Sequence, residues 1–410
     1  MSEAHSTKKL CPDCGPATVN HTIARTSVIL GFLIRTMTAP LAKIEDAIMA
    51  FVSPKIEYFL PHLFKFLTFF GIGEIADMLR DDNIDRTKFM WKAAEKRRIT
   101  MHQFRIFGRP TIIFFAEYCG QKLVFEGLPR PKYADRSSLE WMDNKGIMRK
   151  KFQDGGIPVA KGGVVMTEKG ALELFKTLSA PVITKPNLGS RSRHTTTHIM
   201  DEKGLLEGLR KARQLSPWVV MEEELQGFVF RTTLIGGKLE GALRREPPFV
   251  IGDDVSSVRS LVEKENKNPK RHNGVFHEIA IDKDADEELK RQKLSWDSIP
   301  EKGRFVALNQ KVGRGQGGSN TEMLPKVHPE NKKLFEKIAK VLNDSLVGVD
   351  FIMQDIERPW TEQKRVGAIE CNSLPFLDLH HLPLYGEPLD LSGKLWDVVF
   401  PESKLEGGDY

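Results

Sequence analysis

From about residue 140 the chain alternates short β-branched or aromatic runs with helical periods, and two of the last runs carry carboxylates. That alternation argues an α/β or α+β body. Asp143–Asp154, stopped by Gly155-Gly156, reads as a helix, as do Thr167–Leu178, Asp201–Leu215, Ser257–Asn266 and Leu391–Phe400. Thr167 is placed as an N-cap. Pro181–Lys185, Trp218–Leu225, Val347–Met353 and Gly367–Glu370 read as strands. Val229–Ile235 and Lys238–Arg244 flank Gly236-Gly237, a hairpin signal, because glycine adopts the positive φ that a tight β-turn requires. A charged loop is expected after Asn266.

Upstream, Arg105–Phe107, Thr111–Phe115 and Lys122–Phe125 suggest a small sheet. Residues 21–80 are apolar and aromatic, with Phe51, Phe59, Phe64, Phe66, Phe69 and Phe70 crowded between breaks at Pro54 and Pro61. They read as short helices capping the body. A membrane-surface or partner-binding hairpin is the alternative, and it is disfavoured because the polar face is not consistently basic.

Charge narrows the partners. Lys+Arg 61 against Asp+Glu 55 leaves +6, spread rather than blocked, so nucleic acid is not the expected partner and small phosphates fit equally well. Four cysteines in 410 residues exclude a disulfide scaffold and point to the cytosol. No apolar core leads to a signal-cleavage site. The best apolar run, Thr26–Ile34 between Arg25 and Arg35, is too short to span a membrane. Cys119 and Cys371 read as core thiols. Cys11 and Cys14 form a lone Cys-Pro-Asp-Cys, with His21 as a candidate third ligand. A structural zinc site needs four ligands and there is no second cysteine pair, so a reduced, disordered tail over residues 1–20 is expected.

Four groups of residues could carry chemistry. Asp350 interrupts the apolar run Gly348-Val349-Asp350-Phe351-Ile352, and Glu370 and Asn372 flank Cys371 two apart, on one face of a strand. Carboxylates are seldom buried unless paired or on a metal, so this set reads either as an Mg²⁺ site or as hydrogen-bonded strand residues. Lys185 ends a strand before Pro186 and the loop Asn187-Leu188-Gly189-Ser190-Arg191-Ser192-Arg193, a setting that suits a phosphate but matches neither a Walker nor a Rossmann motif. Gly313-Arg314-Gly315-Gln316-Gly317-Gly318-Ser319 is a linker or a ligand-gripping loop. Arg244-Arg245-Glu246-Pro247-Pro248 places paired arginines at a hairpin end.

Taken in order, these pieces resemble the ATP-grasp superfamily, and within it the ATP-grasp module of cyanophycin synthetase, the fused glutathione synthetases and N-acetylglutaminylglutamine synthetase. The resemblance covers about 140 to 401. It rests on Val219-Val220-Met221-Glu222 with Gly227 and Arg231, Arg244-Arg245-Glu246-Pro247, Gly252-Asp253, Val258-Arg259-Ser260-Leu261-Val262, Gly317-Gly318-Ser319, Val327-His328-Pro329-Glu330-Asn331, Gly348-Val349-Asp350-Phe351, Glu370-Cys371-Asn372, His380, Pro383, Gly386 and Phe400-Pro401.

The resemblance implies an α+β ATP-grasp fold, two α/β subdomains over 140–217 and 218–402, preceded by a helical extension (21–100) and a small β region (101–139) and followed by a tail (403–410). It implies an ADP-forming carboxylate–amine ligase using ATP and Mg²⁺ on an amino acid or peptide. Lys145 and Lys185 would hold ATP phosphates, Glu222 and Leu225 the adenine, and Asp350, Glu370 and Asn372 the Mg²⁺ ions. Arg245 and Arg314 would stabilise the transferred phosphoryl group. A homo-oligomer is expected by analogy alone. The chain departs from the pattern at Asn144, where relatives usually carry Asp, in the loop after Lys185, at Val229 in the ribose position, and at Phe376 in place of glycine. The Mur-ligase-like module of a full cyanophycin synthetase is not expected, and residues 1–100 match no known pattern.

Overall fold

The structure, a computed structural model, describes residues 11–14, 19–38, 62–131, 137–188, 193–272, 275–309, 312 and 317–405. The chain forms two compact units. One comprises Met1–Leu63, Ser137–Gln226 and Arg365–Glu370, the other Phe64–Arg136, Gly227–Lys364 and Cys371–Tyr410.

The small upstream sheet is an antiparallel meander of β1 (Gly73–Ala76), β2 (Thr100–Ile106), β3 (Arg109–Tyr118) and β4 (Gln121–Glu126). It begins earlier than the sequence suggests, because β1 precedes the helix Asp85–Lys96. Two-residue turns close its hairpins, Phe107-Gly108 and Cys119-Gly120, all four residues at positive φ. That is the turn whose twist matches paired strands. Met90 and Trp91 of the helix, Phe114 and Phe125 of the sheet, and Leu395 and Trp396 of the helix Leu391–Val399 share one core. The Trp396 indole donates to the Met90 carbonyl at 2.9 Å, so this buried ring keeps its polar atom satisfied.

In the first unit, β5 (Gly162–Val165), β6 (Val182–Pro186), β7 (Thr196–Ile199) and β8 (Val219–Glu223) form an antiparallel sheet in the order β5-β8-β6-β7. Side chains alternate across it. Val182, Val219 and Met221 face the helices Glu168–Phe175 and Glu202–Arg213, where they bury with Ala171, Leu205, Leu209 and Ala212. Thr167 and Asp201 cap these helices by accepting from Gly170 N and Gly204 N. Ile183 pairs with Glu222 and Lys185 with Val220, so Glu222 and Lys185 lie diagonally on the opposite face.

In the second unit, the hairpin β9 (Phe228–Ile235) and β10 (Lys238–Glu246) turns at Gly236-Gly237, at φ 58° and 79°. β11 (Phe249–Ile251) pairs with β12 (Phe305–Ala307) around an insertion. The expected charged loop contains a helix, Lys283–Arg291, whose apolar contribution is only Ala285 and Leu289. β13 (Ser319–Glu322) and β14 (Leu346–Met353) extend the hairpin in the order β13-β10-β9-β14, and β15 (Gly367–Asn372), of which only Cys371 and Asn372 belong to this unit, is the strand next to β14 in a five-stranded sheet. The helix Pro329–Leu342 packs on it, its Phe335 ring edge-on to Phe351 at 5.5 Å.

Among the described residues no helix is long and apolar enough to cross a membrane. In the aromatic N-terminal region Phe64 is buried and stacks on Phe104 at 3.9 Å, while Phe66, Phe69 and Phe70 are exposed. Phe51, Phe59, Pro54 and Pro61 lie outside the described residues.

Candidate active site

The first unit gathers two lysines that lie 40 residues apart in sequence. Lys185 ends β6 and its ammonium is ion-paired with the Glu222 carboxylate of β8, both largely buried. Lys145 opens the helix Lys145–Asp154. An amide bridge fixes that helix start. Asn187 Oδ1 accepts from Gly146 N at 2.9 Å, and Asn187 Nδ2 donates to Asn144 Oδ1 at 3.2 Å. Asn144 Oδ1 in turn caps the helix by accepting from Ile147 N at 3.1 Å. Asn144, one of the departures, therefore does the work expected of an Asp cap. The helix is held close: a Cβ on Gly146 would come within 2.8 Å of Val164 Cγ2 of β5.

Electrostatics mark the pair. Burial lowers the Lys145 ammonium, and Lys185 lowers it further, against the opposing pull of Glu370, Asp143 and Glu222. Two cations and their acids share one region, an arrangement suited to a polyanion. Leu225 follows β8 and is half-buried.

The second unit holds a different arrangement. Asp350 of β14 is 3% exposed and stands opposite Arg231 of β9 in the sheet register. Arg231 donates to both of its oxygens, Nε to Oδ1 and Nη2 to Oδ2, each at 2.7 Å. Arg245 of β10 adds a contact at 3.5 Å and donates to the Val312 carbonyl at 3.1 Å. The two guanidinium groups hold the Asp350 carboxyl below the usual range, although burial alone would raise it. Phe376, another of the departures, places its ring 5.7 Å from the Arg231 guanidinium, a cation–π contact glycine could not make. Val229 lies on the same strand face as Arg231, paired with Ile352.

The three residues expected at Mg²⁺ are distributed as follows. β15 lies beside β14 and carries Glu370 and Asn372, both half-buried, on either side of the buried Cys371. The division into units falls between Glu370 and Cys371. Asn372 Nδ2 is buried without a hydrogen-bond partner. Rotating that amide by half a turn puts its oxygen, a metal donor, in the same place. Asp350 and Asn372, both of the second unit, are a carboxylate with lone pairs beyond those its arginines use and an amide oxygen, hard donors of the kind that Mg²⁺ takes. Arg314 lies outside the described residues.

The comparisons can be set against this geometry. A bifunctional glutathione synthetase from Pasteurella multocida superposes with a TM-score of 0.62 at 25% identity, covering 78% of this chain and 44% of that one. The chain has the ATP-grasp fold. Its curated homologues include a cyanophycin synthetase from Nostoc, 28% identical over 270 residues, 65% of this chain and 30% of that protein. The bifunctional glutathione biosynthesis protein of Clostridium perfringens is 32% identical over 269 residues, 63% of this chain and 34% of the relative. The chain thus spans about a third of the length of the curated relatives it matches. No family model matches it.

The chain also holds geometry that its sequence did not announce. The Arg231 clasp is one case: Arg231 is visible as a motif position, but its partner is set by strand register 119 residues away. A buried polar network is another. His380 Nδ1 contacts Glu322 Oε2 at 2.7 Å and its Nε2 contacts Thr233 Oγ1 at 2.9 Å. A Cβ on Gly241 would come within 2.5 Å of that imidazole, so the strand needs glycine there. The third case concerns Cys11 and Cys14. The structure describes both, with Cys14 buried, and sets His194 beside them.

Proposed function

We propose that the chain is an ATP-dependent carboxylate–amine ligase that forms an amide bond through an acylphosphate, acting on an amino acid or a short peptide. The convergence of Lys145 and Lys185, each with acidic groups in reach, carries this reading. Two ammonium groups held together raise the free energy of the empty protein, and a polyphosphate relieves that cost.

Lys145 and Lys185 hold the phosphates. Glu222 exchanges its Lys185 partner for the exocyclic amine of adenine, beside Leu225. Asp350, Glu370 and Asn372 hold Mg²⁺, which when bound neutralises phosphate charge. Arg245, and Arg314 by resemblance, stabilise the phosphoryl group in transfer. In the first step a substrate carboxylate oxygen bonds to the γ-phosphorus and the bond to ADP breaks. In the second an amine nitrogen attacks the acyl carbon, phosphate leaves, and the nitrogen loses a proton. Such chemistry is mostly positioning and charge neutralisation, which is what these residues supply.

A second reading, a nucleotide- or peptide-binding module, is favoured by one observation: both Asp350 oxygens are already taken by Arg231. One assay separates the two. The protein is mixed with Mg-ATP, hydroxylamine as a generic amine, and pooled amino acids and dipeptides, with Glu370→Gln as control. The ligase reading expects ADP, phosphate and a hydroxamate, all lost in the control. Mg-ATP binding without product from any pool selects the binding module. No ATP binding at all overturns the ligase reading and the nucleotide-binding module.

A further inference from the structure

The first unit contains a cluster that the proposed chemistry does not use. Cys11, Cys14, His21 and His194 bring four candidate ligand atoms within 4.8 Å of one another. Cys14 Sγ lies 3.1 Å from His21 Nε2 and 3.3 Å from His194 Nε2, and Cys11 Sγ lies 3.8 Å from His194 Nε2. The imidazoles meet edge to face, with ring centroids 4.7 Å apart.

Three features make this a built site. First, the residues sit on local structure: Cys11 N-terminal to the short turn Pro12–Cys14, and His21 on the first residue of the helix His21–Thr38. His194 N donates to the Asp13 carbonyl at 3.1 Å, which docks the cysteine turn onto the segment between β6 and β7. Second, His194 Nδ1 lies 3.0 Å from the Lys211 carbonyl, an acceptor only, so Nδ1 carries the proton and Nε2 presents a lone pair to the thiols. This outer hydrogen bond is the arrangement that orients metal-binding histidines. Third, Cys14 Sγ faces ring nitrogens of both histidines, at 3.1 and 3.3 Å, so sulfur and nitrogen donors from separate segments converge on one point.

We propose that Cys11, Cys14, His21 and His194 form a closed, four-coordinate structural zinc site. A tetrahedral ion with Zn–S near 2.3 Å and Zn–N near 2.05 Å sets neighbouring donor atoms roughly 3.3–3.8 Å apart. The observed sulfur–nitrogen separations of 3.1, 3.3 and 3.8 Å need only small adjustment to meet that. Two thiolates and two imidazoles, with no hard oxygen donor, select zinc over magnesium or calcium. The two cysteines release their protons on binding. The ion staples the N-terminal segment to a residue nine positions after Lys185, and so constrains the chain that leaves the phosphate-binding lysine.

The test measures zinc in the full chain, purified without a histidine tag in reducing, zinc-replete buffer and then desalted. One zinc per chain is expected, released when the thiols are titrated with a mercurial. His194→Ala and His21→Ala should each lower zinc affinity by at least about tenfold. His194→Cys should retain the ion, which separates lost ligation from misfolding. Cobalt in place of zinc should give the visible absorption of a tetrahedral thiolate site in the unmutated chain. A desalted wild type without zinc, a Cys11–Cys14 disulfide that forms equally in the presence of zinc, an octahedral cobalt spectrum, or equal zinc in wild type and both alanine variants would each overturn the proposal.

Discussion

The two units treat charge in opposite ways. In the first, two lysine ammonium groups are brought into mutual repulsion, and burial weakens Lys145 further. In the second, a buried carboxylate is already neutralised by Arg231 and Arg245. The first keeps two cations close together with acids in reach that a ligand anion can replace, whereas the second closes a carboxylate between two arginines. The difference separates residues whose loss should harm ligand binding from residues whose loss should harm the fold.

The largest effect is expected at the clasp. Arg231→Met leaves Asp350 buried without its main partner, and removing one member of such a pair costs about 3–5 kcal/mol. Urea denaturation should show it, and an accompanying Asp350→Leu should recover most of the loss, since apolar replacement of a whole buried pair is often neutral.

Acid should strike the second unit as well. His381 stacks on Phe89 at 4.2 Å, and burial pushes its imidazole down to about 4. The unfolded chain binds that proton near 6.5, so this contribution is present at neutral pH and lost as pH falls from about 6.5 toward 4, by up to about 3 kcal/mol. His381→Gln should flatten the profile in that window. Asp350, whose pKa is lowered, contributes its loss only below about 4. Lys145 has the same sense in an alkaline window. Its depressed pKa means stability rises as pH climbs toward the unfolded value near 10.4, and Lys145→Met should abolish that rise.

At neutral pH the same Lys145→Met should not destabilise the fold, because it removes a charge that burial and Lys185 disfavour. Nucleotide affinity should instead fall roughly 10–100-fold, the worth of one charged hydrogen bond, measured by calorimetric titration with Mg-ATP. The smallest effect is expected at Asn144→Asp, which keeps the cap and the bond from Asn187 Nδ2. Its melting midpoint should match wild type within about 0.5 kcal/mol, since Asn and Asp cap helices equally well.

Much of this was readable in the sequence because it depends on local pattern. The glycine pair between β9 and β10, the cap at Thr167, and the lone aspartate in an apolar strand are short-range signals. Residues that act through distant pairing were not. The Arg231 clasp depends on strand register, and His194 lies 180 residues from Cys14, so neither follows from spacing along the chain. Local signals also failed where composition concealed the element. β5 opens with two glycines, and the helix Lys283–Arg291 is almost wholly charged, with only two residues to bury.

The central claim is that a substrate carboxylate, not water, receives the γ-phosphoryl group. It is tested most directly with oxygen-18 in the carboxylate selected by the hydroxamate assay, followed by mass analysis of the phosphate released with Mg-ATP and an amine. The account predicts one labelled oxygen in each phosphate, carried over when the acyl–oxygen bond breaks. ADP formation with unlabelled phosphate would mean that water took the phosphoryl group, and it would contradict the account.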